Sequence, residues 1–460
     1  MKYMLMLLAF LFSLSSFSQD ENLRYSDHTY LDDIKSVKLY VDGYLLAMPI
    51  IYAGDPTPLV LSFDDVSGDD IKNYTYTVVH CDADWTPSRL AELEYIDGFS
   101  ELRIENYEYS FKAKSIYTHY WTMFPNQDIT FTKSGNYLLK VYEDEDDRRL
   151  VITRRFVVVD PQVAIEPRMK RPAMVSKSTT HQEIDFKVVH KNFEIRSPRQ
   201  ELTAVVLQNG RWDTAIGGLK PLFSRFEEQS FDYQDKIVFP AGKEFRFLDL
   251  RGLKFRDPKL ESVTENNGHF SATIEKEKKR GNTAHFERFD INGNFLIENS
   301  DERGRLFIRR PSDADVTVDI GGPSETARQE AIFGADGPEL DIHSLQSEYV
   351  DVLFTLYSPG EMYGEDLYIF GGLSEWQFKP EFKMVYNPMI NAYVGKVRLK
   401  QGYYDYLYAA VSQENRKADF EVTEGDWYET ENDYTILVYY RPFGSRFDQL
   451  IGVETFSSRM

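Results

Sequence analysis

The chain has 460 residues, 42% of them hydrophobic, 28% charged and 15% aromatic, with a net charge of -21. That composition excludes a helical membrane protein, a collagen-like rod and a wholly disordered acidic chain, and the length suits roughly three domains. The negative field repels phosphate backbones and anionic lipid, so nucleic acid is excluded as the expected partner.

The N-terminus reads as an export signal. Lys2 supplies the positive region, residues 4–14 are apolar apart from Ser13, and Ser16-Phe17-Ser18 places small residues at the specificity positions. Cleavage is expected after Ser18. The apolar run is well short of the ~20 residues that span a bilayer. No cysteine stands at the cleavage site to take a lipid. The only cysteine, Cys81, permits no internal disulfide and is expected as a buried strand residue.

Period-2 alternation places Val37, Leu39 and Val41 on one strand face. It recurs at Ile184/Phe186/Val188, at Val350/Val352/Phe354/Leu356 and at Tyr393/Gly395/Val397/Leu399, the last against Val394/Lys396/Arg398/Lys400. Helical periodicity is confined to residues 88–95, expected as one short helix capped by Ser88. Four Gly-x-aromatic steps, at Gly135, Gly268, Gly293 and Gly402, each predict a tight turn feeding a core strand. Residues 134–142 and 150–159 read as a hairpin with a charged tip over 144–149. The fold class is mainly β, with tandem immunoglobulin-like sandwiches around an elaborated middle. The expected division is a signal peptide over 1–18, an N-terminal sandwich over 19–160, a β-rich middle over 161–340 and a C-terminal sandwich over 341–460. Soft boundaries fall at 167–172 and 310–338.

Catalytic constellations are missing. The eight histidines make no zinc spacing, and there is no nucleophile elbow, phosphate loop or dinucleotide fingerprint. His80 and Cys81 adjoin on a strand and point to opposite faces, so they make no dyad. His80, Asp82 and Asp84 share a face, which a divalent ion would use, although a solvated strand end explains it better. Asp290-Ile-Asn292-Gly-Asn294 alternates oxygen ligands as a calcium loop does. It lacks glycine at the sixth place, where Phe295 stands, and a hairpin turn accounts for the same residues. No catalytic residue, metal ligand, cofactor or small-molecule substrate is therefore expected.

Several segments together carry a resemblance. They are Val79-His80-Cys81-Asp82-Ala83-Asp84-Trp85, Tyr95-Ile96-Asp97-Gly98-Phe99, Tyr117-Thr118-His119-Tyr120, Phe124-Pro125-Asn126, Ser134-Gly135-Asn136-Tyr137 and Thr153-Arg154-Arg155-Phe156. Tyr439-Tyr440-Arg441 and Arg446-Phe447-Asp448-Gln449-Leu450-Ile451-Gly452 complete the series. This set resembles the plug protein family of the type IX secretion system. The resemblance implies a non-enzymatic periplasmic protein that docks on the outer-membrane translocon barrel and closes its periplasmic mouth between transport events, without inserting into the membrane itself.

Aromatic side chains are the strongest interface anchors, which nominates Trp85, Tyr95, Phe99, Tyr117, Tyr120 and Trp121 from two aromatic-rich stretches, 85–99 and 107–124. The competing assignment is that these rings fill the sandwich core. Two other functions fit parts of the sequence. A carbohydrate-binding sandwich would use Trp376, Tyr393 and 402–406 as aromatic platforms. An outer-membrane barrel would need strands of roughly 9–11 residues with an unbroken apolar face, which strands such as 35–44 do not offer.

Overall fold

The computed structural model describes residues 23–68, 70–144, 148–254, 256–301 and 342–459. The expected signal peptide, the hairpin tip at 145–147 and the boundary zone at 310–338 lie outside them. The chain is mainly β, as the alternation predicts: strands dominate, and among the described residues each α-helical segment is a single turn.

The first core is closed by two sheets. One runs in the order His28–Thr29, Arg149–Val159, Gly135–Glu143, Tyr74–Cys81 and Glu101–Arg103, with Ile50–Tyr52 parallel to the second of these. The other runs Ile34–Val41, Leu59–Asp65, Thr118–Phe124 and Asn106–Tyr109. Between them lie Leu61, Phe63, Tyr76, Val78, Tyr120, Phe124, Tyr137 and Phe156. Alternation decides these contacts, because every second residue of Thr118–Phe124 is buried and the others are half-buried. The hairpin of residues 134–159 forms as expected, with Tyr137 opposite Phe156.

The second core lies between the sheet Ala164–Lys170, His181–Val189, Glu228–Phe231, Phe223–Ser224 and the sheet Ile216–Leu219, Leu202–Gln208, Asp433–Tyr440, Gln449–Ser457. Ile184, Phe186 and Val188 fill it together with Val206, Phe231 and Ile436. The third core belongs to an eleven-stranded sheet whose path runs Arg246–Asp249, Gly402–Ser412, Glu365–Phe370, Lys383–Asn387, Ala392–Lys400, Tyr349–Tyr357, His269–Ile274 and Leu260–Asn266. Its interior holds Val350, Val352, Phe354, Leu356, Tyr406 and Tyr408.

Strand pairing crosses the division drawn at residue 340. Leu202–Gln208 pairs with Asp433–Tyr440, so the last two strands complete the second core rather than the third. His269–Ile274 lies parallel to Tyr349–Tyr357, and Arg246–Asp249 pairs with Gly402–Ser412. The third core is thus assembled from both sides of that boundary. Hydrophobic alternation names strands but carries no information on which distant strand completes a sheet.

Residues 88–95 give less helix than expected. The helix is only Glu92–Tyr95, with Ala91 at its N-cap and no side-chain cap. Ser88 instead donates its backbone N–H to the His80 carbonyl at 2.9 Å, extending the preceding strand end, while Glu94 accepts the Ala91 N–H at 2.8 Å. All four Gly-x-aromatic steps lead directly into strands, namely Gly135–Glu143, His269–Ile274, Phe295–Ile297 and Gly402–Ser412.

Candidate docking surface

Four of the six nominated interface residues are buried, and each has an intramolecular partner. Tyr120 stacks on Phe63 with ring centroids 5.4 Å apart, and its hydroxyl accepts the Lys72 N–H at 2.9 Å. Tyr95 packs against His80 and Tyr137. Trp85 meets Trp212, which follows the Leu202–Gln208 strand of the second sandwich, edge-on at 4.8 Å, and the Arg155 guanidinium lies 4.3 Å from the Trp85 centroid. Tyr117 donates its hydroxyl proton to the Ser344 carbonyl at 2.7 Å, and Lys400 Nζ sits 4.2 Å from its ring. Trp85 and Tyr117 are therefore anchors between sandwiches of one chain. An aromatic at a contact between units carries the same sequence signature as one at a contact between molecules. Trp121 is half-buried and stacks on His119 at 5.9 Å, and Phe99 is 63% exposed.

The junctions explain the motifs that carry the resemblance. Arg441 Nη1 lies 3.0 Å from Asp82 Oδ2 and 3.4 Å from Asp448 Oδ1, while the Ala83 N–H donates to Asp448 and the Asp448 N–H to Asp82, each at 3.0 Å. Tyr439 donates to Asn136 Oδ1 at 2.7 Å. Two segments some 360 residues apart in sequence thus form one joint between the first and second sandwiches.

Between the first and third sandwiches the joint is ionic and buried. Asp64 Oδ2 accepts from Lys400 Nζ at 2.6 Å and from the Tyr349 hydroxyl at 2.7 Å, and Asp64 Oδ1 lies 2.6 Å from His119 Nδ1. Burial alone would raise the Asp64 pKa, but Lys400 and His119 outweigh it and hold the carboxyl below its usual range. Nearby, Glu375 pairs with Arg154 and takes the Thr29 hydroxyl at 2.5 Å. Lys400 departs from the expected polar face. Lys396 and Arg398 on the same alternation are exposed, whereas the first sandwich covers Lys400.

A cleft of about 1100 Å³ opens where the three sandwiches meet, lined among others by Lys38, Tyr44, Trp212, Phe295 and Glu375. Lys38 Nζ donates to the Phe295 carbonyl at 2.8 Å, and burial followed by the charge of Arg154 brings its pKa down to about 7. Among the described residues no three His, Cys, Asp or Glu side chains are grouped to hold a metal ion.

His80 and Cys81 are both buried but lie in different surroundings, the thiol beside Trp85 and Leu138, the imidazole against Tyr95, Tyr137 and Phe447. Burial pushes the thiol up to about 12 and the imidazole down to about 4. Both groups are thereby neutral at pH 7, the opposite of an activated thiolate pair. The solvated strand end expected at His80 is thus corrected: it is core, with Asp82 and Asp84 turned to the joint and to Thr86.

The oxygen-rich loop at Asp290 holds a turn. Asp290 accepts the Phe245 and Asn292 N–H groups at 2.7 and 2.9 Å, and Asp405 accepts the Ile291 N–H at 2.6 Å. Burial, then the adjacent Asp290 carboxyl, drives the Asp405 pKa well above the ordinary value. The folded state therefore keeps a proton that the unfolded chain sheds above about pH 4, and this site loses stability as pH rises through that window. Asp405→Asn supplies a neutral isostere, so urea midpoints measured from pH 4 to 8 should show the variant gaining on the native protein as pH rises.

Trp376 is not a free, flat platform for a sugar. It is half-buried, with the Arg211 guanidinium 4.4 Å from its centroid and Phe245 and Phe370 packed against it at steep angles. Tyr393, Tyr404 and Tyr406 are buried as well.

A run of exposed aromatic residues outside the six nominated ones stands on the Asn106–Tyr109 strand and just beyond it. Tyr107, Tyr109 and Phe111 are 37%, 44% and 54% exposed. Their alternation with Asn106, Glu108 and Ser110 was a readable signal.

Residues 34–160 match the Type 9 secretion system plug protein 1st domain. The whole chain is similar to a solved structure of a hypothetical protein from Parabacteroides merdae ATCC 43184, at 29% identity and a TM-score of 0.81 over 95% of this chain and 100% of that one. No curated protein matches. The matched segment is the first sandwich, which holds the joints through Asp64, Asp82, Tyr117 and Arg154, and this part of the chain is what resembles the first domain of the type IX secretion system plug protein.

Proposed function

We propose that this protein is a non-enzymatic periplasmic plug that docks on the outer-membrane translocon of the type IX system and seals its periplasmic opening between transport events. The observation that carries the reading is the match of residues 34–160 to the plug family's first domain. The architecture supports it in a simple physical way. A seal acts by shape, and three cores joined by buried ion pairs between the first and third sandwiches and by Arg441, Asp82 and Asp448 between the first and second favour a body that keeps its shape when it meets another surface. Among the described residues no helix is long and apolar enough to cross a membrane, and attachment through a partner agrees with that.

A pore wide enough for folded cargo leaks small solutes when nothing occupies it. Deleting the protein should therefore raise envelope permeability to bulky antibiotics in a strain that has the translocon barrel. A second deletion that also removes the barrel should restore the wild-type level. Equal permeability in the two deletion strains, above wild type, would show that the leak is not through that pore and would overturn the sealing role.

A further inference from the structure

Asn106–Tyr109 is the outer strand of its sheet, paired with Thr118–Phe124 alone among the described strands, and all four of its residues are exposed. Soluble proteins protect such edges with charge, proline, bulges or a covering element, because unpaired main-chain groups recruit other strands. Here the strand carries tyrosine at alternate positions, and Phe111 continues the series.

The register fixes which main-chain groups the sheet leaves unpaired among the described residues. Asn106 is opposite Trp121 and Glu108 opposite His119, and the Ser110 N–H donates to the Tyr117 carbonyl at 2.9 Å. In an antiparallel ladder the bonded pairs alternate, so the N–H and C=O groups of Tyr107, Tyr109 and Phe111 point away from the sheet. One of them shows the edge in use: the Phe111 N–H donates to the Leu345 carbonyl at 2.9 Å. That carbonyl comes from a helical turn, Ile342–Leu345, rather than from a strand. The three rings lie on the face that continues from Tyr120, and Tyr107 touches both Tyr120 and Tyr109.

We infer that this edge binds an extended segment of a partner protein by strand addition. The partner's backbone pairs with Tyr107 and Tyr109, and its apolar side chains at every second position cover the aromatic row. The inference deepens the docking reading by naming a surface and a mode of contact. The main-chain groups select a polypeptide in extended form, and the rings select its alternating apolar pattern. A strand of about 14 Å gives a short ladder, which suits a contact that must be released.

The test places a photoreactive benzophenone side chain at position 111 (Phe111→p-benzoylphenylalanine) in the full chain, in the cells that make it, and maps crosslinks by mass spectrometry. Crosslinks should fall on one contiguous stretch of another polypeptide with apolar residues at alternate positions. Adding Tyr109→Pro, which removes an outward N–H without touching the ladder to Thr118–Phe124, should cut the yield at least tenfold at an unchanged melting temperature. Tyr109→Phe should leave the yield intact. If the proline variant fails to fold, Tyr109→Asp on the exposed side chain serves the same purpose. Crosslinks confined to this chain's own residues 302–341, no crosslink, or a yield insensitive to proline in a folded variant would each overturn strand addition. The docking reading is judged separately: it fails if the crosslinked partner is a protein other than the outer-membrane barrel, even where strand addition holds.

Discussion

Lys400→Met should lower the stability of the protein by about 3–5 kcal/mol, because it leaves Asp64 charged, buried and short of its main counter-ion. Asp64 and Lys400 are 0% and 1% exposed at the side chain and 2.6 Å apart, so water cannot replace the lost partner. Tyr349 and His119 remain within hydrogen-bond distance of the carboxylate and soften the loss without removing it. Asp64→Asn/Lys400→Met together should cost less than Lys400→Met alone, since no buried charge is then stranded. A double-mutant cycle in urea checks this, and equal losses in the single and double variants would deny the coupling. The pH dependence has a definite sign. Asp64 ionises more readily in the folded state than in the unfolded chain. Its contribution is complete above the ordinary carboxylate pKa and is lost as pH falls through the depressed folded value. The Asp64 contribution to the joint between the first and third sandwiches therefore holds across neutral pH and weakens only below the ordinary carboxylate range. The Asp64→Asn variant should show a weaker acid-induced loss than the native protein.

Gly293→Ala should cost roughly 2–4 kcal/mol, combining left-handed backbone strain with overpacking. Gly293 has φ +79, and a β-carbon there would overlap Trp376 and lie 2.5 Å from Phe245 Cε1. Both rings are held on several sides, Trp376 by Phe370 and Arg211, so neither can swing away cheaply. The loss should appear as a lower urea midpoint. The contrasting control is Gly268→Ala. It shares the positive φ, but its nearest neighbour is the Lys114 side chain at 3.7 Å, so it should pay for the backbone alone. Equal losses at the two positions would mean that packing against Trp376 contributes nothing.

Strand addition at Asn106–Tyr109 bears on how far sequence reasoning reaches. The pattern of tyrosine, glutamate, tyrosine, serine and phenylalanine after Asn106 is plain in the sequence, but alternation reports only that two faces differ. It does not say that this strand lies at an edge, and exposure follows from the edge. Trp85 and Tyr117 fail as docking residues for the converse reason. Their chemistry is that of interface anchors, yet the partners they meet, Trp212 and Ser344, belong to the same chain.

The sequence by itself determined the mainly β fold, because alternation and β-favouring aromatics are local properties of each strand. It determined the four glycine-led strand starts and the hairpin of residues 134–159, since turn chemistry and the strands it joins are adjacent in the chain. It also pointed to the plug family that residues 34–160 match, through short motifs whose residues proved to be the joints at Asp82, Arg441 and Asp448. Only the tertiary structure decided that the last two strands complete the second core and that Lys400 is buried against Asp64. It alone placed Tyr107 and Tyr109 on an outer strand with one strand neighbour among the described residues. These outcomes depend on pairings between residues tens to hundreds of positions apart, set by which sheet edges and apolar faces remain free once local strands have formed. No local pattern encodes that choice, so an edge that could take a further strand becomes visible only when the edges have been assigned.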